Sequence, residues 1–98
     1  MLYFSRMLSE IHCLVGGKVS GVGFRDYVEQ HAKEYTLFGW VKNTEKGEVE
    51  VLLQGIPDEL KVAIETLNRG PSLARVETIS IDWRTPSELF DEFKVIFI

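Results

Sequence analysis

The chain has 98 residues, 45% of them hydrophobic and 27% charged, which is enough for one core and too apolar a mixture for intrinsic disorder. Eleven Lys and Arg against 15 Asp and Glu give a formal net charge of -4, which argues against the broad basic footprint that nucleic acid requires. One cysteine, Cys13, permits no internal disulfide, and no C-x-x-C or H-x-x-x-H spacing offers a metal site.

No apolar stretch approaches the ~18 residues of a membrane span. The start, Met1-Leu2-Tyr3-Phe4-Ser5-Arg6-Met7, lacks the order of a signal peptide. No membrane partner is expected, and the cytoplasm is the expected compartment. Met7 is itself a candidate first residue, so residues 1–9 are set apart as an N-terminal extension and residues 10–98 are expected to form the domain.

Ile11, Cys13 and Val15 alternate with His12 and Leu14, which predicts a first strand ending at Gly16-Gly17. Phe24, Tyr27, Val28, His31, Ala32 and Tyr35 then fall at the spacing of an amphipathic helix that stops before Gly39. Phe38 to Asn43 and Glu48 to Gln54 are β-type runs joined by Thr44-Glu45-Lys46-Gly47, whose glycine suits a hairpin turn. Val49, Val51 and Leu53 oppose Glu48, Glu50 and Gln54, so the third strand is expected to have one wet side.

Pro57 suits a first helical turn, Asp58 and Glu59 complement its dipole, and Leu60, Ala63, Ile64 and Leu67 form a buried stripe closed by Gly70-Pro71. Ile79, Ile81 and Trp83 alternate along a fourth strand. Phe93, Val95 and Phe97 repeat the pattern after a loop containing Pro86. The order β-α-β-β-α-β plus a terminal strand predicts an α+β, ferredoxin-like split β-α-β sandwich, with two helices on one face of a four- to five-stranded antiparallel sheet.

The richest local signal lies between strand one and helix one, in Gly17-Lys18-Val19-Ser20-Gly21-Val22-Gly23-Phe24-Arg25. Glycines at 21 and 23 let the backbone curl so that successive N–H groups converge at the positive end of a helix, an arrangement that favours an anion. Arg25 adds a planar fork able to hold two phosphate oxygens. The run is neither a Walker A loop nor G-x-G-x-x-G, and a tight connection is the bland alternative. A right-handed split β-α-β unit makes strands one and two parallel, so that Asn43 at the end of strand two shares a sheet end with the loop. Its carboxamide offers donor and acceptor and can orient a water; bonding its own hairpin is the competing reading.

The run 17–25 resembles the first acylphosphatase signature. Gly39-Trp40-Val41-Lys42-Asn43-Thr44-Glu45-Lys46-Gly47-Glu48-Val49, closing at Gly55, resembles the second. The resemblance implies hydrolysis of an acyl phosphate to a carboxylate and inorganic phosphate. A carboxylate leaving group needs no general acid and no residue has a claim to be the base, so direct attack by water, without metal, cofactor or phosphoenzyme, is expected. Arg25 matches the phosphate-binding arginine and Asn43 the water-positioning asparagine, while Ser20, Gly21, Val22, Gly23, Phe24 and Arg25 form the phosphate-binding segment. Ser20 stands where the family usually has glutamine. Inorganic phosphate or sulfate is the expected competing anion, and a monomer the expected state.

Lys18 and Thr44 are candidates for support of the site. Lys18, Lys42 and Lys46 can ring its entrance or simply be solvated, and Thr44 can reach the cradle or cap the hairpin. Cys13 reads as inert core, His12 and His31 as structural. Trp40 and Phe24 read as core anchors, with the floor of the site as the alternative. Two rivals stand beside hydrolysis. One is a binding module, of which RNA recognition is the poorer form because Glu48-Val49-Glu50-Val51-Leu52-Leu53 has no aromatic-and-basic run, and a carbamoyl-phosphate-handling module the better. The other is a purely structural role.

Overall fold

The alternation of Ile11, Cys13 and Val15 places all three side chains on the face that the helices cover, where each is fully buried. In the computed structural model, which describes residues 8–97, they belong to β1, Ser9–Lys18. Most of the proposed N-terminal extension, residues 1–7, lies outside the described residues. β1 does not end at Gly16-Gly17 as expected; it continues to Lys18 with a bulge between the two glycines. A Cβ at Gly17 would stand 2.3 Å from the Arg75 carbonyl oxygen, and one at Gly16 2.5 Å from the Thr78 hydroxyl. These glycines let the neighbouring strand approach closely, which is why they sit inside a strand.

Helix α1, Phe24–Glu34, buries Phe24, Val28 and Ala32. Strands β2, Phe38–Asn43, and β3, Val49–Gly55, form the expected hairpin. Its turn is closed by Thr44 N–H to Glu48 C=O at 2.8 Å, with Gly47 at a φ of 81°. Helix α2, Pro57–Arg69, buries Leu60, Ala63 and Leu67 and is followed by Gly70 at a φ of 68°. The Tyr27 hydroxyl donates to the Thr66 carbonyl at 2.8 Å and ties the two helices together. Strands β4, Arg75–Arg84, and β5, Phe93–Ile96, complete the order.

The sheet reads β4-β1-β3-β2-β5. β1 pairs antiparallel with β3 and β4, and β3 with β2, so β1 and β2 run in the same direction. The fold is ferredoxin-like, but the sheet is mixed, since β5 runs parallel to β2. That direction follows from the path of the chain. It leaves β4 at one edge, passes along one end of the sheet through residues 85–92, and enters β5 at the opposite edge.

The same crossing corrects the expected wet side of β3. Gln54 is 1% exposed, because its amide donates to Glu10 Oε1 at 2.8 Å and to the Glu88 carbonyl at 2.6 Å while accepting the Phe90 N–H at 3.0 Å. Every polar atom of that side chain is thereby satisfied under the loop, which is what makes its burial tolerable. Glu50, and Glu48 just before the strand, keep the predicted partial exposure.

Candidate active site

At the other end of the sheet lie the ends of β1, β2 and β5 and the start of α1. The chain leaves β1 through residues 19–23 with Gly21 at a φ of 72° and Gly23 at 78°, and Gly23 is the residue immediately before the helix. A Cβ at either position would meet nothing within 4 Å. Glycine is therefore required here for its left-handed backbone and not for room, whereas Gly17, at a φ of 123°, is required for both. The result is a curled backbone leading into the first turn of α1, where N–H groups lack partners within the helix and favour negative charge.

A cavity of about 170 Å³ opens at this point, lined by Gly21, Gly23, Phe24 and Arg25 from the loop and helix start and by Asn43 from the end of β2. A wider depression beside it shares Arg25 and Asn43 and adds Thr44 and Glu45. The two residues singled out from sequence are thus brought to one site from elements separated in the chain. Asn43 Oδ1 is buried and has no hydrogen-bond partner among the described residues. An unsatisfied buried acceptor costs roughly 1–3 kcal/mol, so this oxygen is an acceptor open to a donor.

Three further side chains line the cavity: Val19, Asp26 and Phe97. Asp26 is an exposed carboxylate in the first turn of α1, where it complements the helix dipole. The ring of Phe97 lies over the guanidinium of Arg25, with Cζ 4.5 Å from its centroid. Phe97 was legible from sequence only as the last member of the Phe93, Val95, Phe97 alternation, which marks the sheet face but not the contact.

Other sequence candidates fall elsewhere. Ser20 is exposed on the turn and Val22 packs partly against the core; neither side chain lines the cavity. Lys18 is exposed beside Arg75, its partner in the β4 register, and lines a separate depression. The Thr44 hydroxyl accepts the N–H groups of Lys46 at 3.3 Å and Glu48 at 3.2 Å, so it caps the hairpin while bordering the wider depression. Lys42 faces Glu50 at 3.7 Å and the ring of Trp40 at 5.3 Å, so it does not ring the entrance. Trp40 is neither a core anchor nor a floor, because the alternation of β2 puts Val41 in the core and Trp40 on the opposite face. Phe24 is both core, at 2% exposure, and cavity wall.

The remaining titratable groups stand apart from the cavity. Cys13 is fully buried, and burial pushes its thiol up to about 12, so it stays protonated at neutral pH. His12 Nε2 lies 2.6 Å from Glu50 Oε2 on the helix-free face, a cross-strand pair that sequence spacing did not reveal. His31 lies between the helices with Tyr35 against its ring at 4.5 Å. Among the described residues, no three His, Cys, Asp or Glu side chains stand close enough to share a metal ion, and no helix is long and apolar enough to cross a membrane.

Comparison with known proteins adds three findings. A family model described as Acylphosphatase matches residues 11–95. The acylphosphatase of Salinibacter ruber is 38% identical over 81 residues, covering 83% of this chain and 85% of that protein. Among solved structures, an acylphosphatase from Coxiella burnetii superposes with a TM-score of 0.90 at 35% identity, covering 98% of this chain and 100% of that one. The acylphosphatase from Bacillus subtilis gives 0.88 at 32% identity, covering 91% of this chain and 99% of that one.

Proposed function

The chain belongs to the acylphosphatase family, hydrolases acting on acid anhydrides, and from that premise we propose that it cleaves acyl phosphates by direct attack of a water that Asn43 orients on a phosphate held by Arg25. The observation that carries this reading is the meeting of Arg25 and of Asn43, with its unpartnered buried oxygen, in one cavity beside the left-handed loop.

An acyl phosphate is a mixed anhydride whose leaving group is a carboxylate, with a conjugate-acid pKa of roughly 4 to 5, near those of Asp and Glu side chains. No general acid is needed to expel such a group. What opposes reaction is the repulsion between an anionic phosphate and its nucleophile, together with the freedom of the attacking water. Phosphoryl transfer of this kind is governed by positioning and electrostatic stabilisation. The guanidinium of Arg25 and the N–H groups of residues 20–25 address the repulsion; the buried carbonyl oxygen of Asn43 accepts one hydrogen of the water and aims its lone pair at phosphorus. The water oxygen forms the new P–O bond, the bond to the acyl oxygen breaks, and the carboxylate leaves with the electron pair. The other proton passes to a phosphate oxygen.

This scheme uses neither a phosphorylated side chain nor a metal ion, and inorganic phosphate, as product, competes for the same cradle. A monomer in the cytoplasm is the setting it assumes. Benzoyl phosphate hydrolysis by the purified protein tests it. Arg25→Ala is expected to lower turnover by at least about 100-fold and to raise the inhibition constant for phosphate, the scale seen when a charge-stabilising donor is lost. Asn43→Ala is expected to depress kcat while leaving phosphate inhibition nearly intact. Wild-type rates in folded Arg25→Ala would refute the assignment.

A further inference from the structure

Phe97 is an aromatic side chain whose exposure the core does not explain. It continues the alternation of Phe93, which is 9% exposed, and half-buried Val95, so it belongs to the face the helices cover, yet it is itself 71% exposed. The parallel register pairs Lys42 with Ile96, so the residues that follow, Asn43 at the end of β2 and Phe97 just past β5, are carried to the same end of the sheet. There the ring lies against the Arg25 guanidinium and borders the cavity that holds Asn43. Of the other apolar side chains lining that cavity, Val19 is 1% and Phe24 2% exposed. Among the described residues, Phe97 therefore supplies nearly all the apolar surface that a substrate could touch.

We infer that Phe97 is a specificity-determining residue whose ring receives the acyl part of the substrate, so that the site favours aromatic acyl phosphates over small aliphatic ones. The inference rests on the hydrolytic reading above. The Phe97 ring centroid lies 4.5 Å from Cζ of Arg25, and the guanidinium carries five N–H donors, of which two suffice for a bidentate grip on phosphate. Ring contact and phosphate binding are thus compatible on one side chain. A phosphate held in the loop points its acyl group out of the cavity, toward the one apolar surface there. A planar aromatic acyl group can stack on the ring or meet it edge to face, and loses solvent-exposed apolar surface by doing so. An acetyl group is too small to make that contact.

The test is the ratio of kcat/KM for benzoyl phosphate to kcat/KM for acetyl phosphate, measured on the same preparation so that any misfolded fraction cancels. Phe97→Ala is expected to lower this ratio by roughly 3- to 10-fold, the equivalent of one aromatic contact, mainly through a higher KM for benzoyl phosphate. Phe97→Trp is expected to restore it. A parallel loss of both activities in Phe97→Ala, with the ratio unchanged, would show that the ring only steadies Arg25 and would overturn the inference alone. A wild-type protein inert toward both compounds would sink the hydrolytic reading and the inference together.

Discussion

At the scale of single residues, the proposed mechanism depends on a charge and an amide in one cavity, and a third group there opposes them. Asp26 lines the same cavity as Arg25 and puts a carboxylate where the proposed anionic substrate enters. Asp26→Asn is expected to lower KM for an acyl phosphate severalfold and to weaken the salt dependence of kcat/KM, because one repulsion is removed. Loss of turnover in that variant would instead make the carboxylate a base or nucleophile. Arg25 and Asn43 were legible in the sequence because their chemistry and the two motifs that carry them are local in the chain. Phe97 was not, since a cation against a ring is a contact between distant segments. His31 shows the same limit: its spacing put it on the apolar stripe of the helix, but did not show that its Nε2 would be buried without a partner among the described residues.

Burial lowers the proton affinity of His31 below the usual 6.5, against the opposing pull of Glu34 and Glu59. The unfolded chain therefore binds a proton that the folded chain resists. The contribution of neutral His31 is intact above about pH 6.5 and is lost as the pH falls through its lower folded value. The melting temperature of the wild type is expected to fall more between pH 7 and pH 5 than that of His31→Gln. Parallel curves would mean that His31 titrates as it does in the unfolded chain.

At the scale of elements, the glycines divide by what each one does. Gly21 and Gly23 shape a loop in open space, and Gly47 turns a hairpin, functions that turn and loop patterns reveal. Gly16, Gly17 and Gly39 lie inside strands, where pattern alone reads them as stops or as nothing. Gly39 has a φ of 136°, and a Cβ there would stand 1.9 Å from the Leu52 carbonyl oxygen of the paired strand. The obstacle is backbone in the middle of the sheet, so it cannot swing aside. Gly39→Ala is expected to cost about 3–5 kcal/mol in urea unfolding, whereas Gly47→Ala, strained only by its positive φ, is expected to cost about 1 kcal/mol. Similar losses at the two positions would contradict the close approach of β2 to β3. Thr44 shows how an element can be read correctly and its side chain left open, since only the folded hairpin reveals that its hydroxyl takes two N–H groups.

At the scale of the whole molecule, the two ends of the sheet have separate duties. One is closed by residues 85–92, pinned through Gln54; the other presents the loop, the start of α1 and the ends of β2 and β5. Strand order and helix placement were legible because hydrophobic alternation and glycine and proline punctuation report them. The parallel β5 and the burial of Gln54 were not, because both depend on where a polar loop crosses. A protein with a net charge of -4 can still favour an anion at one point, because the partial charges of the loop N–H groups and a single guanidinium act within a few ångströms and the distant carboxylates are screened. The most direct test of that claim is a crystal structure of the protein with inorganic phosphate at saturation. The account predicts the anion between the N–H groups of residues 20–25 and the Arg25 guanidinium, with a water bridging the Asn43 carboxamide to the phosphate. Phosphate bound away from Arg25, or Asn43 turned out of the cavity to bond its own hairpin, would contradict it.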